Sequence, residues 1–185
     1  RINKRLKGCN KIIGLKLYPG YEYFYPNNKR LFKVYKFAEK HNLVVIFHSG
    51  DVWDKNNKAQ VKYTHPKYID DIATYFPNVK FVISHFAFPY MLETAMIVSK
   101  NPNVYTDISG NIVSGKLSEY FAPDIKRVIS YYPSIIDKIM YGCDFCGNHT
   151  PLNNTKEYEM FVRDNFNKED IEKILYKNVK KLYKL

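Results

Sequence analysis

The chain has 185 residues, 45% of them hydrophobic and 25% charged, with 17 Tyr and 12 Phe; this suits one domain with a sizeable core and excludes disordered, collagen-like and coiled-coil classes. The net charge of +11 comes from basic residues spread along the chain, with mild clusters at Arg1 to Lys7 and Lys173 to Lys184, so a nucleic-acid partner is not expected. No apolar run approaches the ~20 residues of a membrane-spanning helix, so no membrane partner is expected either, and three cysteines (Cys9, Cys143, Cys146) make no disulfide framework and suit a reducing, cytoplasmic setting.

Short β-branched runs alternate with segments of helical periodicity, the pattern of strand-helix-strand units on a parallel sheet. The first run, Ile12 to Leu17, precedes a helix that Asn28 can cap and that carries Leu31, Val34, Tyr35 and Ala38 on one face. The second, Leu43 to Phe47, leads to a helix with Ile69, Ile72, Ala73 and Phe76 at i, i+3, i+4 and i+7. After Val79 to Ser84 comes a helix predicted to run through Leu92, Ala95 and Met96. Val104 to Ile108 is followed by a helix predicted to start at Pro123 and to bury Ile125, Val128, Ile129 and Tyr132. Lys138 to Gly142 is the fifth strand. A helix with Tyr158, Phe161 and Val162 follows, then a last one capped near Asn167, with Ile174, Asn178 and Leu182 inward. The reading is α/β, about five βα units plus a C-terminal helix, in a single domain over residues 1–185.

Nearly continuous apolar strands belong to a sheet covered on both faces, either an open doubly wound sheet or a (β/α)₈ barrel. No glycine-rich phosphate loop follows any strand, which removes the main support for a nucleotide-binding open sheet. Instead Lys16, His48, His85, Asp107 and Asp144 stand at successive strand ends, and in a parallel barrel such ends meet at one mouth. Strand alternation is read as placing His48 and His85 on the same face, above Ile46 and Ile83. Two imidazoles and the Asp144 carboxylate form an N/O donor set that suits Zn²⁺ or a similar divalent ion.

The segments Gly14-Leu15-Lys16-Leu17-Tyr18-Pro19, Phe47-His48-Ser49-Gly50, Phe76 to His85, Asn101 to Gly110 and Tyr141-Gly142-Cys143-Asp144-Phe145 together resemble the amidohydrolase-related family of metal-dependent hydrolases. That family includes decarboxylases such as aminocarboxymuconate-semialdehyde decarboxylase. The resemblance implies a (β/α)₈ TIM-type barrel with a mononuclear metal site, represented here by its later strands. It implies that His48 is a metal ligand, that Asp144 binds metal and accepts a proton from water, and that His85 is the acid/base or electrostatic partner. Lys16 is read as an interior cation for a carboxylate substrate and Asp107 as holding a neighbour. His65 and Trp53 are candidate substrate contacts, with a turn-forming role as the alternative for His65.

The departures matter as much. The family takes two further ligands from a His-x-His on its first strand, and the sequence contains none. Five strands stand where eight are needed, so the chain is expected to be the carboxyl-terminal part of a longer enzyme or a degenerate remnant. Cys143 and Cys146 form a Cys-x-x-Cys pair; with no second pair, Cys143 is read as a small buried residue. The expected function is hydrolysis of a small anionic molecule through a metal-activated water, with non-oxidative decarboxylation or an inactive scaffold as alternatives. Strand edges of an incomplete barrel make homo-oligomerisation an expectation.

Overall fold

Five β-branched or aromatic runs pair as one parallel sheet: β1 (Gly14–Leu17), β2 (Val44–Phe47), β3 (Phe81–Ile83), β4 (Val104–Asp107) and β5 (Ile139–Met140), adjacent in chain order. The computed structural model describes residues 12–52, 56, 58–110, 117–145 and 154–185, without the side chains of 117–120 and 154. Register is continuous, with Leu17 beside Phe47, Phe47 beside Ile83, Ile83 beside Thr106 and Asp107 beside Met140.

The connections are helical: α1 (Phe32–Lys40), α2 (Lys67–Tyr75), α3 (Met91–Lys100), α4 (Leu117–Tyr131) and α5 (Asn154–Asn165). The C-terminal segment is α6 (Lys168–Glu172), a π-helical turn (Lys173–Lys177) and α7 (Asn178–Tyr183). Asn28 and Asn167 cap as expected, each side chain accepting a backbone N–H, from Arg30 and Asp170.

Alternation divides the sheet. Val45, Phe47, Phe81, Ile83 and Ile139 face the helices and form the main core with Tyr35, Ile72 and Ile125; each such fully buried side chain contributes about 1.5–3 kcal/mol by leaving water. On the opposite, inner face, Val44, Val82, Tyr105 and Met140 pack with Leu182 of α7, flanked by Ile46, Val179 and Tyr183. Asn178 ties α7 to the sheet by donating to the carbonyls of Ile136 and Ile139. Among the described residues, no helix is long and apolar enough to cross a membrane.

Three expectations change. In α3 the buried face is Met91, Thr94, Ala95, Ile97 and Val98, while Leu92 and Met96 are exposed; the helix is apolar on more than one side, so periodicity alone selected the wrong stripe. Helix α4 begins at Leu117 and contains Pro123, because Phe121 and Ala122 are buried and hold the turn before the proline. The third change concerns His85 and bears on the site.

Candidate active site

His85 does not lie on the face that alternation predicted. Register puts Ile46 beside Val82 and Phe47 beside Ile83, so the β3 residue level with His48 on the inner face is Ser84, and Ile83 belongs to the helix-facing core. His85 comes back toward His48 because the chain leaves the strand there. His85, Phe86 and Ala87 take φ of 64°, 49° and 47°, three successive left-handed residues, each at a cost of about 1–2 kcal/mol.

Main-chain hydrogen bonds, together with the Asp107 carboxylate that accepts the His85 N–H, hold this bend. Asp51 donates its N–H to the Phe88 carbonyl at 2.7 Å, and Gly50 donates to the Thr64 carbonyl at 3.0 Å. Gly50 has φ 82°, and a Cβ there would stand 2.2 Å from the Phe88 oxygen and 2.4 Å from the Ala87 carbonyl carbon. Only glycine allows the turns after β2 and β3 to approach this closely.

The clamp sets His48 Nδ1 3.2 Å from His85 Nε2. The outer nitrogens settle where the protons are. His48 Nε2 lies 2.8 Å from the Asp51 carbonyl oxygen, and His85 Nδ1 lies 3.1 Å from the Ser109 carbonyl oxygen. A carbonyl only accepts, so these two nitrogens carry the hydrogens of the neutral rings. Both facing nitrogens then present lone pairs to one another, an arrangement completed by a shared proton or a cation. Burial, then the neighbouring His85, pushes the His48 pKa down to about 4, which keeps its lone pair available at neutral pH.

Beside the imidazoles, Asp107 Oδ1 accepts from the backbone N–H of His85 at 3.0 Å, from Ser109 N–H at 3.1 Å and from the Ser109 hydroxyl. Ser109 Oγ lies 3.0 Å from His85 Nδ1. Lys16 donates to Ser84 Oγ at 2.6 Å and lies 5.5 Å from the Tyr18 ring centroid. Tyr18 stacks on His48 and Tyr21 meets it edge-on, at centroid distances of 6.3 and 5.0 Å.

The structure brings His48 and His85 together, with Asp107 bound to the His85 backbone. Asp144 is exposed with φ 52°, four residues past the end of β5 and no longer governed by strand geometry. Among the described residues no group of three or more His, Cys, Asp or Glu side chains could hold a metal ion. His65 is engaged elsewhere: its Nδ1 accepts from Lys67 N–H, its Nε2 lies 3.1 Å from Glu93 Oε2, and its ring packs 4.4 Å from that of Tyr90. Burial lowers the His65 pKa more than Glu93 raises it, so the contact is a hydrogen bond from a neutral ring. Trp53, Cys9 and Cys146 lie outside the described residues; Cys143 is half-buried. Sequence reading missed Ser84 and Ser109. Of these, only Ser84 was recoverable, from its parity with His48.

The donor chemistry fits a metal in part: two imidazole nitrogens face one another, and the described residues supply no assembled third ligand. A sequence profile of the family described as Amidohydrolase matches residues 3–185. No curated protein sequence matches the chain. Among solved structures, an uncharacterized TIM-barrel protein from Bordetella bronchiseptica is similar with a TM-score of 0.66 and 24% identity, over 90% of this chain and 56% of its own. A 5-carboxyvanillate decarboxylase from Sphingomonas paucimobilis gives 0.65 and 13%, over 93% and 58%. An amidohydrolase from Burkholderia multivorans with bound zinc gives 0.69 and 9%, over 100% and 69%. The chain thus spans little more than half the length of the first two, and these likenesses establish the fold, part of a TIM-type barrel.

Proposed function

The chain belongs to the amidohydrolase family, and on that premise we propose that it carries the later-strand half of a metal-dependent hydrolase site for a small anionic substrate. The observation that supports this is the His48 Nδ1 to His85 Nε2 approach of 3.2 Å, with both rings oriented by carbonyls so that lone pairs face inward. A divalent ion, with zinc as the first candidate, would be held by the His48 Nδ1 nitrogen, with Asp144 as the proposed carboxylate. When bound, the ion supplies Lewis acidity and makes water a stronger acid.

The chain's own residues do the rest. His85 Nε2 accepts a proton while its Nδ1–H stays anchored at Ser109, which lets the ring act as base and then acid without turning. Lys16, steadied by Ser84, draws an anionic group toward the histidines. Tyr18 and Tyr21 flank His48 on one side. Non-oxidative decarboxylation would use the same groups. An inactive scaffold is the competing reading, favoured by the missing third ligand among the described residues. The proposed partners are a small molecule and a second copy of the chain, in the cytoplasm.

Zinc titration calorimetry on the purified chain, with a His48→Ala variant, tests the proposal. Stoichiometric zinc binding by the parent and at least a tenfold weaker affinity in the variant are expected; that is about 1.4 kcal/mol of binding energy. Equal affinity in the two chains, or none in the parent, favours the scaffold. A panel of small carboxylates, scored for carbon dioxide release against hydrolysis, separates the two chemistries.

A further inference from the structure

We infer that Asp107 and Ser109 are positioning residues that hold His85 in its Nδ1-protonated tautomer, with Nε2 turned to His48. The inference deepens the function proposed above, since it says how this chain prepares one nitrogen of that site, but its test needs neither metal nor substrate.

Counting hydrogens assigns the tautomer. Ser109 has one hydroxyl hydrogen, and Asp107 Oδ1 takes it. Ser109 Oγ can then only accept from His85 Nδ1, 3.0 Å away. The Ser109 carbonyl, 3.1 Å from the same nitrogen, can also only accept. Two acceptors on one ring nitrogen demand a hydrogen there, and a neutral ring has only one to place. Asp107 is what aims both acceptors. Its Oδ1 also gathers the N–H groups of Ser109 and of His85 itself, so one carboxylate oxygen fixes the serine, the histidine backbone and the distance between them.

The same carboxylate also steadies a strained backbone. His85 has φ 64°, and the bond from its own N–H to Asp107 is made in that conformation. The tautomer and the bend are therefore fixed by the same atom. Neither residue touches a reacting group in this arrangement; both act through His85.

The test is long-range ¹H–¹⁵N correlation of the histidine rings in uniformly labelled, metal-free chain. In the parent, His85 should read as protonated on Nδ1 and unprotonated on Nε2, with His48 the reverse. Asp107→Ala should lose the single-tautomer pattern at His85. Asp107→Asn keeps an acceptor oxygen and should retain most of it. Ser109→Ala should weaken it and Ser109→Thr restore it. His65, whose Nδ1 accepts from Lys67 and whose Nε2 faces Glu93, reports whether each variant is folded, and the serine pair decides the matter if Asp107→Ala does not fold. A parent His85 protonated on Nε2, or a folded Asp107→Ala or Ser109→Ala chain with the parent pattern, overturns the inference. Failure of zinc to bind would sink the proposed function and leave this result standing.

Discussion

Replacing Gly110 by alanine strikes the support of His85 from the other side. Gly110 has φ 73°, and a Cβ built on it stands 2.6 Å from His85 Nδ1, 3.2 Å from Cε1 and 3.3 Å from Cγ. Comfortable contacts begin at about 3.5 Å, so the ring must withdraw by roughly 1 Å. The left-handed backbone costs an L residue about 1–2 kcal/mol, and losing the Nδ1 bonds to Ser109 adds about 1–2 kcal/mol. We expect a total loss of about 2–4 kcal/mol, which lowers the melting temperature of a chain this size by roughly 5–15 °C. Urea unfolding followed by circular dichroism reads the first quantity and thermal scanning the second. The histidine ring spectrum should change at His85 and His48 and stay constant at His65. A Gly110→Ala chain within about 0.5 kcal/mol of its parent, the range of a plain surface substitution, would show that the packing of the ring against this glycine is not what the geometry describes.

Asn103 is buried, and its Nδ2 donates to the carbonyls of Ala73, Phe76 and Val79 at 3.1, 3.1 and 3.0 Å. Asn103→Ala strips these carbonyls of a shared donor and should destabilise by about 2–4 kcal/mol in denaturant titration; a loss under about 1 kcal/mol would mean that water replaces the amide. Asp70 gives a pH signature. Burial opposes its charge, but hydrogen bonds from Lys100 and Asn101 outweigh that and hold its carboxyl below the usual range. Its contribution is therefore complete above the ordinary carboxylate pKa of about 4 and fades as the pH falls through the depressed folded value. Asp70→Asn should flatten the acid limb of the stability curve and leave the neutral region lower, and an unchanged acid limb would remove Asp70 from the account.

Strand order, helix order and the inward position of His48 were legible because each rests on a local pattern. The run Val44 to Phe47 is β-branched and aromatic, and its parity carries directly to His48. The α3 face was not legible, since Leu92 and Met96 are as apolar as the residues that were buried; only the neighbouring elements select the stripe. The start of α4 was hidden behind Pro123, which looks like a first helical residue and sits inside the helix instead. His85 shows the limit most clearly. Its side-chain direction depends on three left-handed residues that no periodicity encodes and that Gly50, far along the chain, makes possible. The two carboxylates differ for a related reason: Asp107 terminates a paired strand, whereas Asp144 lies beyond a two-residue strand, where strand parity no longer fixes direction. Ser109 contributes through a hydroxyl whose imidazole partner, His85, is distant in the chain, so it leaves no trace in the residue pattern.

The stitching of the turns after β2 and β3 is almost entirely peptide to peptide: Asp51 N–H to Phe88, Gly50 N–H to Thr64, and a glycine pressed against Ala87. The side chains of Tyr18, Tyr21 and Lys16 take no part in that stitching and can be randomised without loosening it. A combinatorial library at Tyr18, Tyr21 and Lys16 should yield many folded clones that differ in what they accept, whereas one at Gly50 should yield almost none. Ligand preference and scaffold integrity are thus encoded in separable parts of the polypeptide, the condition under which new selectivities arise quickly.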